Sequence, residues 1–386
     1  MHNDKALADR LVAILSDLIV LPSPFPPSDT VAIARYAADF LKRASYAVEI
    51  VTNKPGVDNV VARLGKGKPC IAFNAHVDTV GVGERANWKT DPFKPGVADG
   101  QVFGLGAGNC KGSMAVQLWL AEEIVRRGGP KHGEVVFTFV GDEENLGPDG
   151  MEYLRQSNKV RPDALILGAQ TNNQLIVAER GVMWARIVTI GKAAHAGAPQ
   201  NGDNAIMRMV RIVTHLDHAL VPLLAKRIDG DKRSTINIGM FHGGHNTNVV
   251  PSLCTVEIDR RLLPGETVTQ AFDELKALVA QAGEPEGSYR IEFLTGTNGF
   301  KADQNGAAVS AFKTEIARVL GEPAQFLNAT GVSDGRYYAD DGIEIINFGP
   351  GSGAQGHAAN ESVPIAEMVQ AADIQLGLVK TLLGVS

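Results

Sequence analysis

"CIAFNAHVDTV", residues 70–80, decides the fold class. Its first six residues are apolar or small, and the run then gives way to His76 and Asp78. Three further runs behave alike. "VVFTFV" (135–140) leads into "GDEEN", "ALILGA" (164–169) into "QTN", and "EIINF" (344–348) into "GPGSGAQGHAANE". Runs of four to six such residues suit strands buried on both faces of a sheet. Between the first two lies "GSMAVQLWLAEEIVRRGG" (112–129), a helix stopped by Gly128 and Gly129. Strands alternating with helices predict an α/β fold, a mixed sheet with helices on both faces. Ligands in such sheets collect outside the carboxyl ends of the strands. Those ends carry His76 and Asp78, then Asp142, Glu143 and Glu144, then His357 and Glu361. Three sequence-distant groups of histidine and carboxylate thus converge on one rim, and a metal site is the simplest account.

The rest of the chain bounds the answer. Its 386 residues are too many for one ordinary core, so two domains are expected. Hydrophobic residues make up 44% and charged residues 21%, an ordinary globular composition. A net charge of −6 without a basic block argues against nucleic acid and anionic membranes as partners. Cys70, Cys110 and Cys254 are odd in number and well separated, which suits a reducing compartment. The first 24 residues have helical apolar spacing interrupted by Asp9, Arg10 and Asp17, an amphipathic helix rather than a signal peptide. A cytoplasmic location is expected. A second helix is expected in "SDTVAIARYAADFLKRASYAV", with Ser28 and Asp29 as caps. From residue 182 to residue 293 the texture changes to alternating strands ("VMWARIVTI", "STINIGMFHGG", "LCTVEIDRRL") and two amphipathic helices. This is an α+β insert, whose outer face can cover a site or pair with a second copy. The catalytic domain is then expected over 1–181 and 294–386.

Histidine with carboxylates suits Zn, Mn or Co. Glu143, beside the candidate ligand Glu144, is well placed to take a proton from a metal-polarised water and pass it to a leaving nitrogen. Asp78, two residues after His76 on an extended segment, shares its face and is expected to hydrogen-bond the ring. Each piece alone is weak, since lone histidines are usually structural and acidic pairs usually solvated. Their order at successive strand ends is what strains the bland account.

With these motifs the sequence resembles the co-catalytic metallopeptidases that include acetylornithine deacetylase, succinyl-diaminopimelate desuccinylase, aminoacylase-1 and carboxypeptidase G. The likeness runs over nearly the whole chain. It is carried by "NAHVDTV", "DGQVFGLGAGNCKG", "GDEEN", "GKAAHAGAPQNGDNAI", "NVVPSLCTVEIDRRLLPGE", "TGVSDGRYY" and "FGPGSGAQGHAANE". The resemblance implies a zinc-peptidase-like catalytic domain with an inserted lid or dimerisation domain, and a homodimer or higher homo-oligomer. It makes His76, Asn109, Glu144 and His357 the metal residues and Glu143 the general base. His195 becomes the lid histidine that helps stabilise a tetrahedral oxyanion. Arg336 becomes the group that grips a substrate carboxylate, with a structural salt bridge as the alternative, and Asn248 a lid contact to substrate.

Two positions depart from the family pattern. Asn109 stands where a bridging aspartate belongs, and Ala169 where a carboxylate ligand precedes a proline. Losing both removes two negative charges from the cage. The expectation is therefore one labile divalent metal (Mn, Zn or Co) per subunit, held by Glu144 and His357, with His76 or Asn109 completing the shell. Gln170 is a further group able to swing in. The function expected is hydrolysis of a C–N bond in a small carboxylate-bearing substrate, an N-acyl amino acid or related amide. Two alternatives stand beside it. One is hydrolytic deamination of an aromatic amino acid, as in the nitroanthranilate aminohydrolase-like branch; the other is a catalytically inactive small-molecule binding protein.

Overall fold

A computed structural model describes residues 2–230, 232–329 and 331–386. Along the chain run α1 (His2–Ile19), α2 (Val31–Arg43), β1 (Ala47–Lys54), β2 (Val57–Lys66), β3 (Cys70–His76), α3 (Gly112–Arg126), β4 (Gly133–Val140) and β5 (Ala164–Gly168). Then follow β6 (Gly181–Ile190), α4 (Ala205–Leu224), β7 (Thr235–Gly243), β8 (Leu253–Leu262), α5 (Val268–Gln281) and β9 (Tyr289–Thr297). The chain closes with α6 (Ala307–Leu320), β10 (Glu344–Phe348) and α7 (Ile365–Leu383). It divides into two compact units, one of residues 1–177, 302–327 and 333–386, the other of 178–301 and 328–332. The breaks expected at 181/182 and 293/294 differ from these: 293/294 falls inside β9, which continues to Thr297.

In the first unit six strands lie in the order β10–β5–β3–β4–β2–β1. The first four run parallel, and β2 and β1 add an antiparallel hairpin. The sheet is mixed for that reason. Phe73 of β3 pairs with Phe137 of β4 and Ile166 of β5, so their carboxyl ends fall level. Side chains alternate across the sheet. Ile71, Phe73 and Ala75 join Val135, Phe137 and Phe139 in one core with α1, α2, α3, α6 and α7. Asn74 and His76 point the other way, where Asn74 donates to Asp334 at 3.1 Å in the short helical turn Asp334–Tyr338. Most helical mass therefore sits on one face, and polar residues collect on the other.

Local chemistry explains the ends. Helix α2 begins at Val31, whose N–H donates to the Asp29 carboxylate at 3.1 Å; Thr30 is the boundary residue and Ser28 makes no cap. Helix α3 stops where Gly128 and Gly129 adopt positive φ, a conformation glycine enters at little cost. Among the described residues no helix is long and apolar enough to cross a membrane.

The second unit is an antiparallel sheet in the order β7–β8–β6–β9. Met183, Ala185 and Ile187 of β6 and Val256 and Ile258 of β8 form its core with α4 and α5. Asn204 caps α4, and Thr267 with Gln270 forms a capping box on α5.

Candidate metal centre

Four loops at the carboxyl ends of the parallel strands build the site. At the end of β3, the His76 ring faces two carbonyl oxygens: Nδ1 lies 2.9 Å from the Asp78 backbone oxygen and Nε2 3.2 Å from Asn109 Oδ1. Carbonyls only accept, so both ring nitrogens donate and the imidazole is held in its protonated form. Burial alone would lower its pKa, but Glu143, Cys110 and Asp78 outweigh burial and raise it well above the ordinary value. The expectation for Asp78 needs correcting. Its carboxylate lies 3.6 Å from the ring and instead accepts from the Glu144 N–H at 3.0 Å. The backbone carbonyl, not the carboxylate, orients His76.

The loop carrying Asn109 is gripped by Glu361. One carboxylate oxygen accepts from the N–H groups of Gly108 and Asn109 at 3.0 and 2.6 Å, and the other from Gly106 at 2.7 Å. Burial raises the Glu361 carboxyl, while these three backbone bonds oppose the rise. Sequence reading noted Glu361 only as one acidic residue at the rim. Its spacing four residues after His357 was the available signal, but the loop it holds lies some 250 residues earlier in the chain.

After β4, Asp142 fixes the next loop by accepting from Asn145 and from the Asp149 N–H, each at 3.0 Å. Glu143 and Glu144 are presented by that loop. Glu144 Oε1 accepts from Asn109 Nδ2 at 2.7 Å and lies 3.1 Å from His357 Nε2. The Asn109 nitrogen is also 3.3 Å from His357 Nε2. A carboxylate can only accept, so the amide turns its nitrogen to Glu144 and its oxygen to His76. Donor atoms in a tetrahedral shell at ~2.05 Å stand about 3.3 Å apart. The Glu144–His357 separation matches that spacing, and ligand atoms of His76, Glu143 and Glu144 lie within 4.8 Å of one another. Histidine nitrogen with carboxylate oxygen suits a divalent transition metal. Asn109 meets the pair as a hydrogen-bond donor, and Ala169 offers no ligand atom.

Burial pushes the Glu143 carboxyl up to about 8; Asp334 and Glu144 add to the rise, and His76 and Arg336 oppose it. Arg336 is itself buried, with Nη1 3.9 Å from Glu143 and Nη2 4.0 Å from Asp334. Its guanidinium lies over the Tyr337 ring at 4.3 Å, and Nη2 donates to the Tyr337 hydroxyl. Among the described residues Nη1 has no hydrogen-bond partner. The contacts of Arg336 are thus partly those of the salt-bridge alternative.

His195 and Asn248 belong to the second unit, on adjoining stretches of exposed backbone where the Ala196 N–H donates to the Asn248 carbonyl at 2.9 Å. His195 Nδ1 accepts from the Gly197 N–H at 3.0 Å, which leaves its proton on Nε2. The first unit thus brings together His76, Asp78, Asn109, Glu143, Glu144, Arg336 and His357.

Known proteins bear on this geometry. The family described as peptidase family M20/M25/M40 matches residues 72–381. A succinyl-diaminopimelate desuccinylase of Bordetella parapertussis is 28% identical over 97% of this chain and 99% of its own. A tripeptidase of Staphylococcus aureus is 25% identical with a TM-score of 0.77, over 98% of this chain and 99% of its own. The YXEP protein of Bacillus subtilis, described as a dinuclear metal binding peptidase, shares the fold with a TM-score of 0.75 at 17% identity, over 99% of this chain and all of its own. With the family match spanning most of its length, the chain belongs to peptidase family M20/M25/M40.

Proposed function

We propose that this family member is a metal-dependent hydrolase that cleaves a C–N bond in a small carboxylate-bearing substrate such as an N-acyl amino acid. The observation that carries the reading is the 3.1 Å pairing of Glu144 Oε1 with His357 Nε2, next in sequence to the buried Glu143. The 28% identical desuccinylase makes N-succinyl amino acids the first compounds to test. One divalent transition metal (Mn, Zn or Co) per subunit is proposed, held by Glu144 and His357 with His76 or Asn109 completing the shell. When bound, it supplies a Lewis acid that polarises the scissile carbonyl and acidifies water.

The chain's own groups do the rest. Glu143 accepts a proton from the attacking water and returns it to the leaving nitrogen, a role that its raised carboxyl suits. Asp78 holds the Glu144 backbone and, through its carbonyl, the His76 ring. His195, with its proton on Nε2, is suited to donate to a developing oxyanion. Arg336, fixed by Tyr337 through Nη2 and the ring face, offers a substrate carboxylate its Nη1, which has no hydrogen bond among the described residues, with Asn248 as a further polar contact.

A homo-oligomer is proposed through the insert. Edge strand β7 exposes Ile238, Met240 and Phe241, and α4 exposes Met207 and Val210. An unpaired strand edge with apolar side chains favours pairing with a second copy. Three free, buried cysteines suit the cytoplasm.

Elemental analysis of purified protein, before and after Mn or Zn addition and desalting, tests the reading together with a screen of N-succinyl, N-acetyl and aromatic amino acids. One ion per chain with hydrolysis of an N-acyl compound is expected. Two ions would return the ordinary two-metal deacylase to first place. No ion and no turnover, with carboxylates still binding, would make the protein a binding module.

A further inference from the structure

Gln170 follows Ala169 just beyond the carboxyl end of β5. Its side chain lies across two loops that each carry a residue of the metal centre. Nε2 stands 2.1 Å from the point where a Cβ on Gly108 would be, and Oε1 3.0 Å from the same point on Gly356. Gly108 precedes Asn109 and Gly356 precedes His357. Gly351 and Gly353 border Gln170 at ordinary contact distance, 3.8 Å from its Cγ and 3.5 Å from its backbone oxygen by the same measure. At Gly108 a side chain would collide with the amide, and at Gly356 it would crowd it.

Glu361, four residues after His357, ties the two loops together at one end: its carboxylate accepts from the N–H groups of Gly106, Gly108 and Asn109, and its carbonyl accepts from the Gly104 N–H. Nearer the histidine, among the described residues, the backbone makes no such bond to the Asn109 loop. The backbone N–H groups of Ala354, Gln355, Gly356 and Ala358 bond to Ser352, Gly353 and Gln355, all within the segment itself. Beyond the contacts of the His357 ring with Glu144 and Asn109, packing positions this segment, and Gly356 packs on the Gln170 amide. Among the described residues Gln170 Nε2 is buried without a hydrogen-bond partner, so shape rather than bonding holds that end of the amide.

We propose that Gln170 is a positioning residue for the metal centre: a brace, seated in a slot walled by glycines, that sets the His357 loop at its distance from the fixed Asn109 loop. A carboxylate at position 169 would offer a metal ligand beside this slot; with Ala169 in place the neighbouring glutamine contributes packing there instead. The inference rests on the metal reading above.

Metal affinity is the readout, taken with Zn and with Mn by competition against a chelating indicator. Removing a group that orients ligands typically weakens metal binding by about 10- to 100-fold. Gln170→Ala should do so with little change in melting temperature, although it removes no ligand. Gly108→Ala should weaken binding similarly, because its new Cβ displaces Nε2. The two changes combined should be less than additive, since they share the Gln170 contact and only the new Cβ against Glu361 Oε1 is peculiar to Gly108→Ala. Gln170→Met, which fills the slot without an amide, should recover most of the affinity. Unchanged affinity in Gln170→Ala, additive effects of the two alanines, or a parallel fall in melting temperature would each overturn the brace. Failure of Gln170→Met to recover would overturn it too, pointing to amide chemistry instead of packing. A wild-type protein that takes up no metal removes the metal reading and the brace together. Wild-type uptake with an unaffected Gln170→Ala removes the brace alone.

Discussion

The carboxylates of the two units are treated in opposite ways. At the rim of the first unit, burial raises Glu143, Asp334 and Glu361. The guanidinium of Arg336 stays 3.9 Å from Glu143 there, and neither it nor His76 reverses the rise. In the insert, burial would likewise raise Glu274 and Glu284, but arginines reverse the sign. Arg227 and Arg260 bring Glu274 down, and Arg211 and Arg208 bring Glu284 down. The insert neutralises its acids with its own side chains. At the rim the cations His76 and Arg336 leave burial in control, as a site for an external cation requires, and the two environments can be pulled apart by experiment.

The largest effect is expected at Glu143. A positioned general base contributes about 10²- to 10⁴-fold to rate. Glu143→Ala should lower turnover of an identified substrate toward the upper end of that range and leave metal content unchanged. Equal turnover would remove Glu143 from the chemistry.

Next comes charge in the cage. Two dications ~3.5–4 Å apart repel by about 17–19 kcal/mol at an effective dielectric of about 20, so anionic bridges decide how many ions stay. The Glu144–His357 half keeps its charge, whereas Asn109 and Ala169 leave the other half neutral. Asn109→Asp combined with Ala169→Glu should raise metal content from one ion per chain to two. If elemental analysis finds the content unchanged, residue charge is not what limits it.

Glu361→Gln tests the scaffold beneath that charge. The amide nitrogen would meet a backbone N–H in the cradle, losing at least one bond and burying two facing donors. Loss of a hydrogen bond to a buried charged group costs roughly 1.5–3 kcal/mol. Urea unfolding should show a loss of that size, with metal affinity falling alongside. Wild-type stability would mean that the Asn109 loop is held by other contacts.

Legibility followed the same division between short-range pattern and long-range partner. Four apolar runs became four parallel strands because strands buried on both faces announce themselves. The hairpin of β1 and β2 was not read. Its outer strand β1 has the exposure pattern of an edge, and Val48, Ile50 and their neighbours form no uninterrupted apolar run. His76, Glu144 and His357 were legible from their places at strand ends and Asn109 from the family resemblance, and the structure draws them together. The Glu361 cradle, the Asn74–Asp334 bond and the Gln170 slot were not, because each joins residues far apart in sequence. Glycines 351, 353 and 356 read as a turn, and only the fold reveals what fills the space they leave.

The smallest effect sharpens the comparison from the insert's side. Arg211 Nε donates to Glu284 at 2.5 Å, and Arg208 donates to the other carboxylate oxygen. Burial alone would raise Glu284, but the arginines hold it below the usual carboxylate range. A carboxyl whose folded pKa is depressed adds stability above its unfolded value, about 4.3 for glutamate, and loses it as pH falls through the folded value. The insert should therefore weaken on acidification below about pH 4.3, where Glu284 begins to be protonated in the unfolded chain. Trp184 lies in β6, so its emission reports on the insert once Trp88 and Trp119 are replaced by phenylalanine. In that background Glu284→Gln should lower stability at pH 7 and flatten its fall in acid. An unchanged acid slope would show that Glu284 is not among the groups that set it. The arginine-paired acids of the insert would then be as indifferent to pH as ordinary surface pairs, and the contrast with the rim would rest on Glu143 and its neighbours alone.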